Sequence, residues 1–193
     1  MFTSAFRILS AAVIVGIALY PGAASATVLR PAVLAYSSAG SPSGSDPNTI
    51  VTFTVTTGAL SLTAPATADL GSGAPGTTIS GTVGPVTVTD DRAALNASWN
   101  ATASSTNWTT GGGTGNETIP VGDATYTPGE ITTTGTVTAT GSTITLSGTT
   151  QTVVAGTDVV GDNTATWNPT VAVAVPAAAV GGAYTATLSH SVS

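Results

Sequence analysis

The chain contains no cysteine. Disulfide staples, thiol nucleophiles and cysteine-based metal sites are therefore excluded. A secreted domain of this length can bury enough surface without staples, so the absence suits an export route that does not rely on disulfides, as at a Gram-positive cell surface. Lysine is also missing, and the only basic side chains beyond the first 26 residues are Arg30 and Arg92, set against nine acids. Nucleic acids and anionic lipid surfaces are held by Lys and Arg neutralising phosphate, and this balance disfavours both. Charged residues of all kinds make up 6% of the chain, too few for a disordered acidic segment. One histidine, His190, rules out a His-rich zinc site. Past the N-terminal segment no window has helical spacing combined with good helix formers.

What the chain does have is threonine, glycine and short apolar alternations. Residues 1–26 read as a secretory signal: Arg7 is the only early charge, Ile8–Leu19 is apolar, and Ala24-Ser25-Ala26 offers a small-x-small cleavage site. The apolar run falls short of the about 20 residues a membrane span needs. Residues 27–48 form an extension whose Ser37–Pro47 stretch is Ser, Gly and Pro-rich, a linker composition.

From residue 49 onward the period is two. Val51, Phe53 and Val55 alternate with threonines, then Leu60 with Leu62, Ile79 with Gly81 and Val83, Val86 with Val88, and Ala97 with Trp99, Ala101 and Ala103. Residues 124–128, 131–139, 142–147 and 149–155 are further short candidates, and 106–115 reads as a polar, Gly-rich loop. The strongest signal is C-terminal. Val171, Val173 and Val175 alternate with alanines, and Tyr184, Ala186, Leu188, His190 and Val192 alternate with hydroxyl residues; Pro176 and Gly181-Gly182 between them predict a long hairpin. Many short strands punctuated by Gly, Pro and Asn predict a single all-β domain over 49–193, an antiparallel β-sandwich of Greek-key or immunoglobulin-like general architecture. Threonine faces, with Pro169 and Pro176, would guard its edges.

Candidate chemistry is sparse. His190 shares the parity of Tyr184 and Leu188, which points to a packed, hydrogen-bonded imidazole rather than a member of a Ser/His/Asp triad. Asp90-Asp91 and Asp158/Asp162/Asn163 offer oxygens to calcium without the spacing of a calcium loop, and acids in such places also form turns by bonding their own backbone. No nucleophile or base motif stands out, which ranks a secreted hydrolase last. No cofactor is expected. Trp99, among alanines, is expected in the core, and Trp167, in phase with Val171, in the core or at its rim. Trp108, in the polar loop, is expected to be exposed, where an indole can stack on a sugar ring. Four Asn-x-Ser/Thr sequons, at Asn96, Asn100, Asn107 and Asn116, matter only with a eukaryotic glycosylation pathway.

Two stretches carry a resemblance. Val86-Thr-Val-Thr-Asp-Asp-Arg92 with Ser98-Trp99-Asn100-Ala101, and Asn163-Thr-Ala-Thr-Trp167-Asn-Pro-Thr followed by Gly182-Ala-Tyr184 and Leu188-Ser-His190-Ser-Val192, resemble the WxL domain of Gram-positive surface proteins, particularly its actinobacterial relatives. Trp99-Asn100-Ala101 keeps the tryptophan of one Trp-x-Leu element, and His190-Ser191-Val192 stands where the terminal one would lie. The resemblance implies a secreted, non-enzymatic protein attached non-covalently to cell-wall peptidoglycan, with Trp99, Trp167, Tyr184 and His190 at motif positions and no membrane partner after signal cleavage. The alternative is a structural or adhesive subunit that packs with itself or with another surface protein.

Overall fold

The computed structural model describes residues 49–193, of which Val51–Ser193 form one compact unit. The expected signal and the extension 27–48 lie outside the described residues. The described chain is almost entirely antiparallel β-structure, a sandwich-like single domain. Its strands are β1 (Leu60–Thr63), β2 (Thr78–Thr82), β3 (Val86–Asp90), β4 (Leu95–Ser105), β5 (Trp108–Thr109), β6 (Thr118–Ile119), β7 (Ala124–Thr127), β8 (Ile131–Gly141), β9 (Ile144–Thr145), β10 (Gln151–Trp167), β11 (Thr170–Ala174) and β12 (Leu188–Val192). Two single 3-10 turns, Gly115–Glu117 and Val121–Asp123, separate the strands around β6. No helix among the described residues is long and apolar enough to cross a membrane.

The largest sheet is organised around β10. β8 pairs along one edge of it, while β3 and β4 lie end to end along the other, opposite Asn163–Trp167 and Gln151–Val160 respectively. β1 then adds to β3 and β12 to β4. All three long lines break register at the same level. Ala93, Asn96, Asp158, Gly135 and Gly161 take positive φ there, and β10 shifts against both neighbours between Gly156 and Thr164. Bulges of this kind bend strands and increase their twist. The sheet coils until β1 and β12 approach each other, which leaves it nearly closed. A second sheet, ordered β2-β11-β7-β9, packs on it, and β5 with β6 forms a small ribbon.

The core follows from the alternation. Val86, Val88, Trp99, Ala101, Val154, Val159, Ala165 and Trp167 fill the coiled sheet. Trp99 stands directly opposite Gly156, and a side chain at 156 would collide with its indole ring; the missing Cβ is what lets the ring lie across the neighbouring strand. A second cluster, including Ala103, Tyr126, Leu146, Val153, Val171 and Val173, joins the two sheets. On the partly exposed faces, directly opposed hydroxyls pair across strands: Thr87 with Thr166 at 2.9 Å, Thr134 with Thr164 at 2.6 Å and Thr102 with Ser191 at 2.7 Å. The threonines thus satisfy one another as well as solvent.

Not every expectation about the strands and their edges holds. The C-terminal hairpin does not form: β11 is already flanked by β2 and β7, and β12 pairs with β4, placing Val192 opposite Ala101 and His190 opposite Ala103. Alternation fixes which face is buried but leaves the partner open. The apolar run Ile50–Thr56 is extended and unpaired, with Val51, Phe53 and Val55 at 81%, 88% and 71% exposure. Asp158–Asn163, weighed as a calcium or turn segment, is an irregular stretch inside the long β10. Pro169 guards no edge; it is fully buried between β10 and β11, and its carbonyl accepts the Val83 N–H at 2.9 Å.

Candidate functional site

The break between β3 and β4 is held by one ion pair. Asp90 is 1% exposed, and Arg92 donates to it from Nε and Nη2, each at 2.8 Å, and from its backbone N–H. Arg92 Nη2 also reaches the Ser98 carbonyl at 3.0 Å, which ties the two strands together across the break. The guanidinium beside Asp90 holds its carboxyl below the usual carboxylate range. Asp90 is therefore committed to Arg92, Asp91 is exposed, and Asp158 and Asp162 are exposed on the bent part of β10. No group of three or more His, Asp or Glu side chains able to hold a metal occurs among the described residues.

His190 lies on the half-buried face of β12, as its parity predicts. Its ring is tilted against Tyr126 with centroids 5.6 Å apart, and its Nε2 is 3.2 Å from the Tyr126 hydroxyl. Trp167 Nε1–H donates to that same hydroxyl at 2.9 Å. With Trp167 as its donor, the Tyr126 O–H is left to donate to an unprotonated His190 nitrogen. Both shifts agree with this arrangement: burial pushes His190 down from its ordinary value and Tyr126 up to about 12. The Trp167–Tyr126–His190 chain spans both core clusters and is a structural tie. Sequence reasoning passed over Tyr126, although its parity with Ala124 in a short alternating run was the available signal.

A cleft lies elsewhere, at the open end of the second cluster, and both Trp108 and Tyr184 line it. The cleft encloses about 310 Å³; Leu70, Ile79, Ile119 and Val175 give it apolar walls, and the glycine-rich segments 71–73 and 181–182 form part of its lining. Trp108 sits on β5 opposite Ile119 of β6. Thr109 and Thr185 exchange two backbone hydrogen bonds of 3.0 Å, which docks the approach to β12 beside β5 and places Tyr184 in the same lining as the indole. The Tyr184 hydroxyl lies 2.9 Å from the Val180 carbonyl and 3.0 Å from that of Asn116, and Val180 N–H donates to Asn116 O at 3.0 Å. One phenol thus pins the loop that forms this wall.

The expectation of a freely exposed Trp108 is corrected. The side chain is half-buried and packs on the second cluster, and its enclosed Nε1 has no hydrogen-bond partner among the described residues. Asp69 is the single charged residue of the lining, and it accepts the Gly71 N–H at 2.8 Å. A cleft with two aromatic rings, aliphatic walls, exposed backbone amides and no cation suits a neutral ligand with an apolar face and hydroxyl or amide edges. Trp99 and Trp167 take no part in it; both are 1% exposed in the first cluster. A second, more open depression of about 330 Å³, lined by residues that include Ser104, Ser105, Thr106, Asn107, Thr187 and Ser189, offers hydroxyl and amide groups and no aromatic ring. No family model matches the chain, and no curated protein or solved structure matches it.

Proposed function

We propose that this protein is a secreted, non-enzymatic module of the cell envelope that associates non-covalently with cell-wall peptidoglycan, as the resemblance to WxL domains implies. The observation that carries this reading is the presence of Trp108 and Tyr184 in one aliphatic-walled cleft whose single charged lining residue is Asp69. Such a surface stacks on the apolar face of a sugar and meets its acetamido and hydroxyl groups with backbone amides. Two arginines against nine acids beyond the signal segment leave no charge attraction to wall phosphates, so the affinity rests on stacking and hydrogen bonds and persists as salt is raised.

Co-sedimentation with purified cell walls over a salt series tests this. The expected result is pelleting that salt does not abolish, and its loss at every salt concentration in Val180→Glu. That variant places a charged chain at the lining while altering a side chain that is 42% exposed, so its stability should stay within about 0.5 kcal/mol of the parent. Absence of pelleting in the parent contradicts the reading. A second reading, a structural subunit that packs with its own kind, is favoured by one observation, the unpaired apolar run that precedes β1.

A further inference from the structure

The run Val51–Thr57 has the composition of a buried strand: valine and phenylalanine on one parity, threonine on the other, with no charge, proline or glycine. It nevertheless lies extended without strand partners, and its apolar side chains are the most exposed large ones in the described chain together with Ile50 and Leu95. It joins the sheet at Gly58, whose N–H donates to the Asp91 carbonyl at 2.6 Å. A Cβ at 58 would stand 2.6 Å from that of Asp91, so the junction tolerates only glycine without a shift of its neighbour.

The same domain carries an edge that such a strand would fit. On its outer side β4 is covered by β12 only from Ala101 to Ser105, extended to Asn100 by the two hydrogen bonds with Ser193. β1 covers only β3 and Asp91. Between them Leu95–Trp99 is paired with β10 alone among the described residues. Leu95 and Val160 are directly opposed across β4 and β10, 76% and 42% exposed, and form an apolar pair beside this edge, with the exposed Asp158 and Asp162 two residues to either side of Val160. Because β3 and β4 follow one another along β10 and β1 runs antiparallel to β3, the chain enters β1 from the end of β3 that leads into β4.

We propose that the arm Val51–Thr57 of one molecule adds as a strand to the Leu95–Trp99 edge of a second copy, and that the exchange is reciprocal about a twofold axis. The occupant is a second copy because one chain supplies both halves of the contact, an unpaired neutral strand and an unpaired neutral edge flanked by exposed apolar side chains. Reciprocal exchange of one element is the low-cost route to a closed dimer, and main-chain hydrogen bonds of strand addition supply affinity while the alternate side chains supply register. The inference rests on the structural-subunit reading and gives it a specific contact.

The test is the oligomeric state of protein purified from the full-length coding sequence, followed by sedimentation equilibrium over a wide concentration range. Phe53→Asp damages the arm and Leu95→Asp the edge; both positions are exposed, so both variants fold. A parent dimer is expected, with its dissociation constant raised by at least about 30-fold in either variant. An equimolar mixture of the two variants should regain association, because one intact arm then meets one intact edge. A dimer that persists unchanged in both variants overturns the exchange while leaving the structural-subunit reading standing, and a parent that stays monomeric throughout overturns both.

Discussion

Three tryptophans occupy two kinds of place in this molecule. Trp99 and Trp167 are closed in on every side: one ring lies across Gly156, the other donates to the Tyr126 hydroxyl, and each is 1% exposed. Trp108 has the core on one side only, and its other side faces the cleft beside Tyr184. An indole with a fixed partner on each face holds the fold. An indole with one face on packed side chains and the other on open space is held rigidly for something else to cover.

Breaking the closed half of this comparison gives the largest effect. Trp99→Ala should cost about 3–5 kcal/mol in a denaturant titration, the usual range for deleting a buried large aromatic side chain. The ring's relation to Gly156 makes a sharper version. Gly156→Ala should cost about 1–3 kcal/mol by overpacking, and most of that cost should vanish when Trp99 is already alanine, since neighbours in direct contact do not add. A cost for Gly156→Ala that is unchanged in the double variant would mean that backbone conformation, and not the indole, demands glycine there.

A smaller effect reads the Trp167–Tyr126–His190 chain through pH. Burial lowers the folded-state value of His190 below its ordinary 6.5, so the unfolded chain takes up a proton first as the solution is acidified. Stability should therefore be complete above about pH 6.5 and decline as pH falls from there toward the lowered value. At the other end Tyr126, pushed up to about 12 from 10.0, ionises first in the unfolded chain, and stability should decline again between about pH 10 and pH 12. Melting temperatures across this range should show both limbs, and His190→Phe should remove the acidic one between pH 6.5 and the carboxylate range. Persistence of that limb in the variant would place its origin in another group.

The inward faces of the strands were legible in the sequence. The alternations at Leu60/Leu62, Val86/Val88, Ala97–Ala103 and Tyr184–Val192 all bury the expected parity, because parity is a local property of the pleat. Partners were not legible. Val171–Val175 and Val51–Val55 share one pattern, yet β11 ends between two strands and the arm beside none. Which edge a strand meets depends on the coiling of the sheet, and that coiling arises where Ala93, Asn96 and Asp158 enter positive φ, a choice of non-glycine residues that no turn signature announces. The site shows the same division. Trp108 was recognisable as the unusual indole, but its wall-mates Leu70 and Ile119 come from a loop and a two-residue strand that carry no periodicity to read.

The claim that Trp108 and Tyr184 form a glycan-binding cleft is tested most directly on the indoles themselves. In a nitrogen-15 labelled sample the three tryptophans give three indole N–H signals, and Trp108→Phe identifies the one from the cleft. Titration with soluble peptidoglycan fragments should move the Trp108 signal in a saturable way at low and high salt alike, while the enclosed signals of Trp99 and Trp167 stay in place. Saturable wall binding by the same protein with an unmoved Trp108 signal would contradict the assignment of the cleft.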